Sequence, residues 1–442
     1  MADPVLTPIE SWGRIGAPGH DLVTPWTLAQ ARQAIRPGAT PWLAHGMGRS
    51  YGDVALNAGG RLIDTTRLDR FIAFDRDAGV LEAEAGVTLE DVIRLVLPHG
   101  WFLPTTPGTK FVTLAGAVAN DVHGKNHHRV GTFGCWVRSM ELARSDGSLC
   151  RCSLDENPEL FRATIGGLGL TGLITKLSLQ LARVPGAYLD SEEVPFHNLG
   201  EFFALAADSD AETWEHTVAW MDCVGRSAGR GIFMRANWSD KGGYDLRLDG
   251  MKVTVPFQPP GFLLNSATIK LFNETFYRIK SWRARRTLQH FDPCFYPLDS
   301  INRWNLLYGR RGFYQYQCVI PRAVQREAMD ELLKIISASG LASFLVVIKV
   351  FGDKPSPGYL SFPMPGTNLA LDFPNRGATV HKLFERMDKI VADAKGRIYP
   401  CKDGRMPADI FKSGYPGWTK LAALKDPNIH SDLWSRVAGS QG

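Results

Sequence analysis

The sequence predicts an α+β chain. Up to about residue 186, short apolar runs alternate with turns and brief helical patterns, whereas beyond it strand-like segments of period two dominate. No internal repeat or low-complexity tract interrupts either half. In chain order, apolar runs at 42–44, 61–63 and 79–83 read as short strands. Thr88 then caps a helix over 89–96, because Leu89, Val92, Ile93 and Val96 recur at the spacing of one buried helical face. A hairpin turning at Asp146-Gly147 follows, then a helix-like stretch over 158–165, a glycine-rich turn from 166 to 172 and a strand over 173–181. After Val184-Pro185-Gly186, the segments 218–221, 313–320, 344–351 and 368–373 read as one antiparallel sheet. Alternation gives that sheet a polar face: Gln315 and Gln317 share a side, as do Leu345, Val347 and Lys349, and Asn368, Ala370 and Asp372.

Length and composition narrow the class. The 442 residues suffice for two domains, or three at roughly one per 150, and 44% hydrophobic with 21% charged residues excludes a disordered or fibrous chain. The formal charge is +5, but Lys and Arg are spread out and no nucleic-acid-binding motif occurs. Nucleic acid is therefore not an expected partner, and an anionic small molecule or lipid phosphate is. The N-terminal residues have neither a basic nor an apolar signal-like stretch, and no run reaches the ~18 apolar residues of a membrane span. The expectation is a cytoplasmic protein, peripheral at most on a membrane. Seven cysteines, at 135, 150, 152, 223, 294, 318 and 401, are scattered and odd in number, so they read as reduced thiols rather than a disulfide framework or a zinc site. His127 and His128 lack carboxylate or cysteine neighbours at ligand spacing; they read as solvent-exposed, and no metal is expected.

Two segments carry chemistry. One is Gly46-Met47-Gly48-Arg49-Ser50-Tyr51-Gly52-Asp53; the other is Thr113-Leu114-Ala115-Gly116-Ala117, running into Asp121-Val122-His123-Gly124-Lys125-Asn126-His127-His128. Glycines free backbone N–H groups to converge on a pyrophosphate without Cβ atoms holding it away. The spacing is not that of a nicotinamide-binding fold: the first segment reads G-x-G-x-x-x-G, and nothing after it opens a helix. A G-x-G-x-x-G match at Gly167, Gly169 and Gly172 lies after a helix and before a strand, the inverse of the required context.

In both order and separation, these segments resemble the flavin-binding domain of the vanillyl-alcohol-oxidase superfamily, the PCMH-type FAD domain. The wording GRSYGD, HGKNHH, RSMEL, GLTG, QYQ and KDGR is most similar to the decaprenylphosphoryl-ribose oxidase family, the flavin half of an epimerase that makes an arabinose donor. The resemblance covers residues 10 to 435, and it implies an FAD-binding domain over 1–186, a substrate domain over 187–395 and a return to the first domain over 396–442. It further implies that Gly46, Gly48, Ser50 and Gly52 cradle the FAD pyrophosphate, with Arg49, Tyr51 and Asp53 in the same loop. Gly108, Thr113, Leu114, Gly116, Asn120, His123, Ile174 and Tyr399 would line the rest of the cofactor, although Ala115 replaces a glycine usual in that run. FAD would be held non-covalently, since covalent relatives carry His where this chain has Arg49. Lys125, Trp220, Tyr308, Gln315, Gln317, Lys349 and Asn368 match the family's substrate lining. Some members carry cysteine where Ala370 stands, so no thiol takes part here.

Oxidising an alcohol requires loss of the hydroxyl proton as hydride leaves the carbon. Lys402 is the favoured acid/base, provided that burial or nearby cations lower its pKa. Alternatively it stays protonated and only positions the substrate or stabilises anionic reduced flavin, with Tyr51 and His123 as rival bases. Several convergent donors and acceptors beside an aromatic face suit a sugar. The expected reaction converts the 2-OH of a polyprenylphosphoryl ribofuranose to a ketone, which then passes to a separate nicotinamide-dependent reductase. The alternative is an oxidase of a free alditol or aldonolactone. The stretch 262–286 is apolar in stripes around Leu271, Phe272 and Phe276 and basic at Arg283, Arg285 and Arg286. It lies on a membrane surface, holds a prenyl phosphate, or packs as an ordinary amphipathic helix on the sheet.

Overall fold

The computed structural model describes residues 6–439 apart from 39, 226–227, 249–252, 259–264, 284 and 342. Part of the 262–286 stretch, residues 262–264 and 284, therefore lies outside the described residues. In the first half, Arg61–Asp64 runs parallel to both Gly19–Val23 and Trp42–His45 in a four-stranded sheet. A second, antiparallel sheet orders Phe71–Asp75, Val80–Glu84, Leu173–Gln180, Val137–Ala143 and Leu149–Ser153. The helix Leu89–Val96 starts where its cap predicts: Asp91 N–H donates to the Thr88 hydroxyl, and the Asp91 carboxylate accepts from Thr88 N–H in return. Leu89, Val92, Ile93 and Val96 are fully buried, each worth about 1.5–3 kcal/mol relative to exposure. The hairpin turns at Gly147, whose φ of +89° favours glycine, while the Asp146 carboxylate accepts from Ser148 N–H.

The second half is one eight-stranded antiparallel sheet. Its order is Arg286–His290, Tyr188–Phe196, Gly231–Ser239, His216–Met221, Val346–Phe351, Gly366–Pro374, Phe313–Pro321 and Arg397–Ile398. Period-two alternation splits it as expected. Tyr316, Cys318, Ile320, Val346, Ile348, Leu369 and Leu371 join the main core with Leu332, Leu333, Leu383 and Phe384 of the helices Gln325–Ala338 and Ala378–Asp393. Registry then sets the opposite face, with Gln315 opposite Asp372, Gln317 opposite Ala370, Lys349 opposite Asn368 and Trp220 opposite Val347. The chain's last part reaches back to the first sheet: Trp42 N–H donates to Asn428 O at 3.0 Å, and Trp42, Leu62, Leu433 and Trp434 share one core. No described helix is long and apolar enough to cross a membrane.

Two surface expectations need correction. His127 is buried, its ring packed 4.5 Å from that of Phe351 and its Nδ1 accepting from Gly352 N–H. His128 is half-buried and bonded to Trp214 O at 2.9 Å. Both lie where the eight-stranded sheet docks on the histidine loop, an apposition that local spacing does not encode.

Candidate active site

A cavity of about 1130 Å³ lies between the glycine loops of the first half and the polar face of the eight-stranded sheet. One wall is the loop 46–51 with Gly108, Thr113, Gly116, Asn120 and Ile174; the opposite one carries Trp220, Gln315, Gln317, Lys349 and Asn368. The helix Ser266–Arg283 contributes Ile269, Phe272, Phe276 and Lys280 to the lining. On the glycine wall, the amides of Met47, Gly48, Arg49 and Ser50 take no hydrogen bond among the described residues. Gly48 has φ +60°, and a Cβ on Gly46 would stand 2.7 Å from Thr113 Oγ1. Successive free amides in such a turn form a nest for an anion. Asn120 Oδ1 is buried without a partner on the same wall.

The sheet wall holds two hydrogen-bonded groups. Gln317 Nε2 donates to Asn368 Oδ1 at 2.8 Å and to His123 Nε2 at 3.1 Å, so the imidazole carries its proton on Nδ1, 3.2 Å from Lys349 Nζ. Lys349 accepts that proton only as a neutral amine. Burial, reinforced by the charges of Lys125 and Lys402, lowers its pKa to about 7. Burial and then Lys349 hold His123 well below the ordinary histidine range, so it stays neutral.

The second group centres on Asp372, which accepts from Gln315 Nε2 at 2.6 Å and from the Tyr308 hydroxyl at 3.2 Å. Burial raises this carboxyl to about 7, against the pull of Gln315, Lys402 and Tyr308. Lys402 Nζ lies 3.9 Å from the centre of the Tyr51 ring. Its pKa is lowered by burial, with Cys401 and Asp372 opposing. The Tyr51 hydroxyl is raised far above its usual range by burial and then by Asp372, so it keeps its proton. Lys125, Lys349 and Lys402 form no ion pair among the described residues; Lys125 donates instead to the carbonyls of Cys294 and Phe295. Lys125 gives the cavity a positive potential that suits an anionic ligand, and Lys349 and Lys402 add to it whenever they are protonated.

Residues 22–153 match the family described as an FAD binding domain. The chain is similar to the decaprenylphosphoryl-beta-D-ribose oxidase of Mycolicibacterium smegmatis, with 35% identity across 96% of this chain and 96% of that protein. The chain belongs to the decaprenylphosphoryl-ribose oxidase family. It is also similar to an uncharacterized protein of Streptomyces coelicolor, 31% identical over 79% of this chain and 100% of that one, and to an alditol oxidase of a Streptomyces species, 28% identical over 46% and 48%. Like its family, it is an FAD-dependent oxidoreductase of PCMH-type α+β fold.

The residues present fit FAD. The free amides of 47–50 and the unpartnered Asn120 oxygen supply a phosphate nest and a polar contact on one wall. When bound, FAD supplies the two-electron acceptor for the substrate carbon. Arg49 stacks over Trp12 at 4.2 Å and donates to Phe111 O. Tyr399 stacks on Phe362 and donates its hydroxyl to Asn120 O, which fixes that loop.

Most of the expected site residues line this cavity, Lys125 and Lys402 included, but four do not. At Gly52 a Cβ would stand 1.6 Å from Asp403 O, so this glycine lets the 50–53 loop meet the 401–404 loop. Asp53 pairs with Arg436 at 2.8 Å. Leu114 is buried in the core of its helix, and its N–H is taken by Val87 O. Tyr308 stacks on Phe313 at 4.1 Å and reaches the site only through Asp372. The sequence reading missed Asp372 as a site group, although its alternation with Asn368 and Ala370 was visible. It also missed the lock on the Lys402 loop, in which Asp403 accepts from Arg436 and Arg405 pairs with Asp388.

Proposed function

We propose that this flavoenzyme oxidises the 2-hydroxyl of a polyprenylphosphoryl ribofuranose to a ketone, the first half of an epimerisation to arabinose. What carries the reading is the continuity of one cavity from the polar group of Gln315, Gln317, Lys349 and Asn368 to the apolar side chains of Ile269 and Phe276 and the half-exposed Phe272 at its rim. A sugar needs the first surface, a prenyl chain needs the second, and a free alditol leaves the second idle. Residues 1–186 and 396–442 would hold FAD, and 187–395 the substrate. Lys402, depressed by burial, takes the hydroxyl proton; Gln317, Asn368 and neutral His123, held by Lys349, orient the ring, while Lys125 attracts the anionic end. The keto sugar then passes to a separate NAD(P)H-dependent reductase, and the enzyme works peripherally at the membrane that carries its substrate. Deuterium at each ring carbon of prenylphosphoryl ribose tests the position of oxidation. Slower anaerobic bleaching of the flavin is expected with the label at C2, and slowing only with the label elsewhere on the ring would refute the assignment.

A further inference from the structure

The helix Ser266–Arg283 wears its apolar residues on both faces. Ile269, Phe272 and Phe276 line the cavity, and Phe276 packs 4.7 Å from Trp220. The sequence reading grouped Leu271 with them, but Leu271 points away and is 70% exposed, together with Ile279 at 47% and Trp282 at 84%. At about 100° per residue, Leu271, Thr275, Ile279 and Trp282 fall within one arc of about 80°. A helix that only packed on the sheet would show a polar outer face. Cations flank the arc: Lys270 and Arg278 on the helix, and Arg285 and Arg286 just beyond it, are exposed. Arg278 pairs with Glu274 and Arg286 with Glu192, whereas Lys270 and Arg285 enter no ion pair among the described residues.

We propose that this outer face docks on an anionic lipid bilayer, with Trp282, Ile279 and Leu271 in the headgroup boundary and the flanking cations on lipid phosphates. The proposal rests on the lipid-sugar reading for its purpose, because the same helix roofs the substrate cavity, and a substrate tail would pass beneath it from the membrane. An exposed Trp on an apolar arc with cationic edges is the pattern of a helix lying in an interface. A second copy of the chain suits the face less well, because a two-fold contact would set the cations of one copy against those of the other.

Flotation of the FAD-loaded enzyme with vesicles tests this. Binding is expected to vesicles of phosphatidylcholine and phosphatidylglycerol in equal parts, not to phosphatidylcholine alone, and is lost at about 1 M salt, where screening is nearly complete. Ile279→Ser with Trp282→Ser, and separately Lys270→Glu with Arg285→Glu, should each lower the floated fraction about tenfold. Both pairs should keep wild-type flavin content and anaerobic reduction by a short-chain, soluble substrate. Failure of the unaltered enzyme to float, or undiminished flotation of both pairs, overturns the proposal; so does a dimer in size-exclusion chromatography that Ile279→Ser with Trp282→Ser dissolves. The vesicles contain no prenyl sugar. An enzyme that floats but is not reduced by prenylphosphoryl ribose therefore refutes the proposed function and leaves the docking surface standing.

Discussion

Nζ of Lys402 lies 3.9 Å from the centroid of the Tyr51 ring at the edge of the cavity, a contact that becomes cation–π once the lysine has taken up a proton. Tyr51 thus presents a face to the lysine, and its hydroxyl, held protonated by burial, does not compete as a base. Lys402→Met should keep FAD bound and lose about 10²–10⁴ in the rate of flavin reduction. Tyr51→Phe retains the ring and should stay within about threefold of wild type. Stopped-flow bleaching measures both, and a Tyr51→Phe loss as deep as that of Lys402→Met would assign the proton to the hydroxyl instead.

The contact between His123 and Lys349 sets a pH dependence. Above about 7, Lys349 is a neutral amine and accepts from His123 Nδ1; below it, the ammonium only donates, and the imidazole must move its proton to Nε2, breaking the bond from Gln317. The rate of flavin reduction should therefore rise with pH through about 7. Lys349→Met should move that limb, leaving only the titration of Lys402 and Asp372, and a limb left unchanged by the substitution would contradict the assignment. His123 itself should add none near 6.5, since burial keeps it neutral.

Asp53 pairs with Arg436 outside the cavity lining, which points to a role in the fold. Asp53→Asn breaks a half-buried pair with Arg436 and should cost about 1–3 kcal/mol of stability while leaving FAD affinity nearly unchanged. Thermal melting and flavin titration separate the two. Lost FAD with unchanged melting would return Asp53 to the binding site.

With Arg49 where covalent relatives have His, and its guanidinium occupied by Trp12 and Phe111 O, FAD should be held without a covalent bond. Acid precipitation should give a yellow supernatant over a white pellet; a yellow pellet refutes the claim.

Local rules made much of this legible. Thr88 capping its helix, the turn at Gly147 and the alternation of Gln315, Gln317, Asn368 and Ala370 depend on a few neighbouring residues, and strand pairing then gathers the polar face without further information. What depended on distant partners was hidden. Arg436 lies far along the chain from Asp53, His127 becomes buried only when Phe351 arrives, and Gly52 is small for the sake of Asp403. Leu271 was misassigned because a stripe was read by proximity in sequence, whereas neighbours on a helix diverge by about 100°.

Anaerobic bleaching of the flavin by prenylphosphoryl ribose, set against free ribose, an alditol and an aldonolactone, decides between a lipid sugar and a free sugar as the substrate. Burying four methylenes of the tail at about 0.8 kcal/mol each adds about 3 kcal/mol, roughly a hundredfold in affinity, so the lipid sugar should reduce the enzyme far more efficiently. If a free sugar or alditol reduces it within about tenfold of that efficiency, well short of the tail's expected contribution, the lipid-sugar account is wrong.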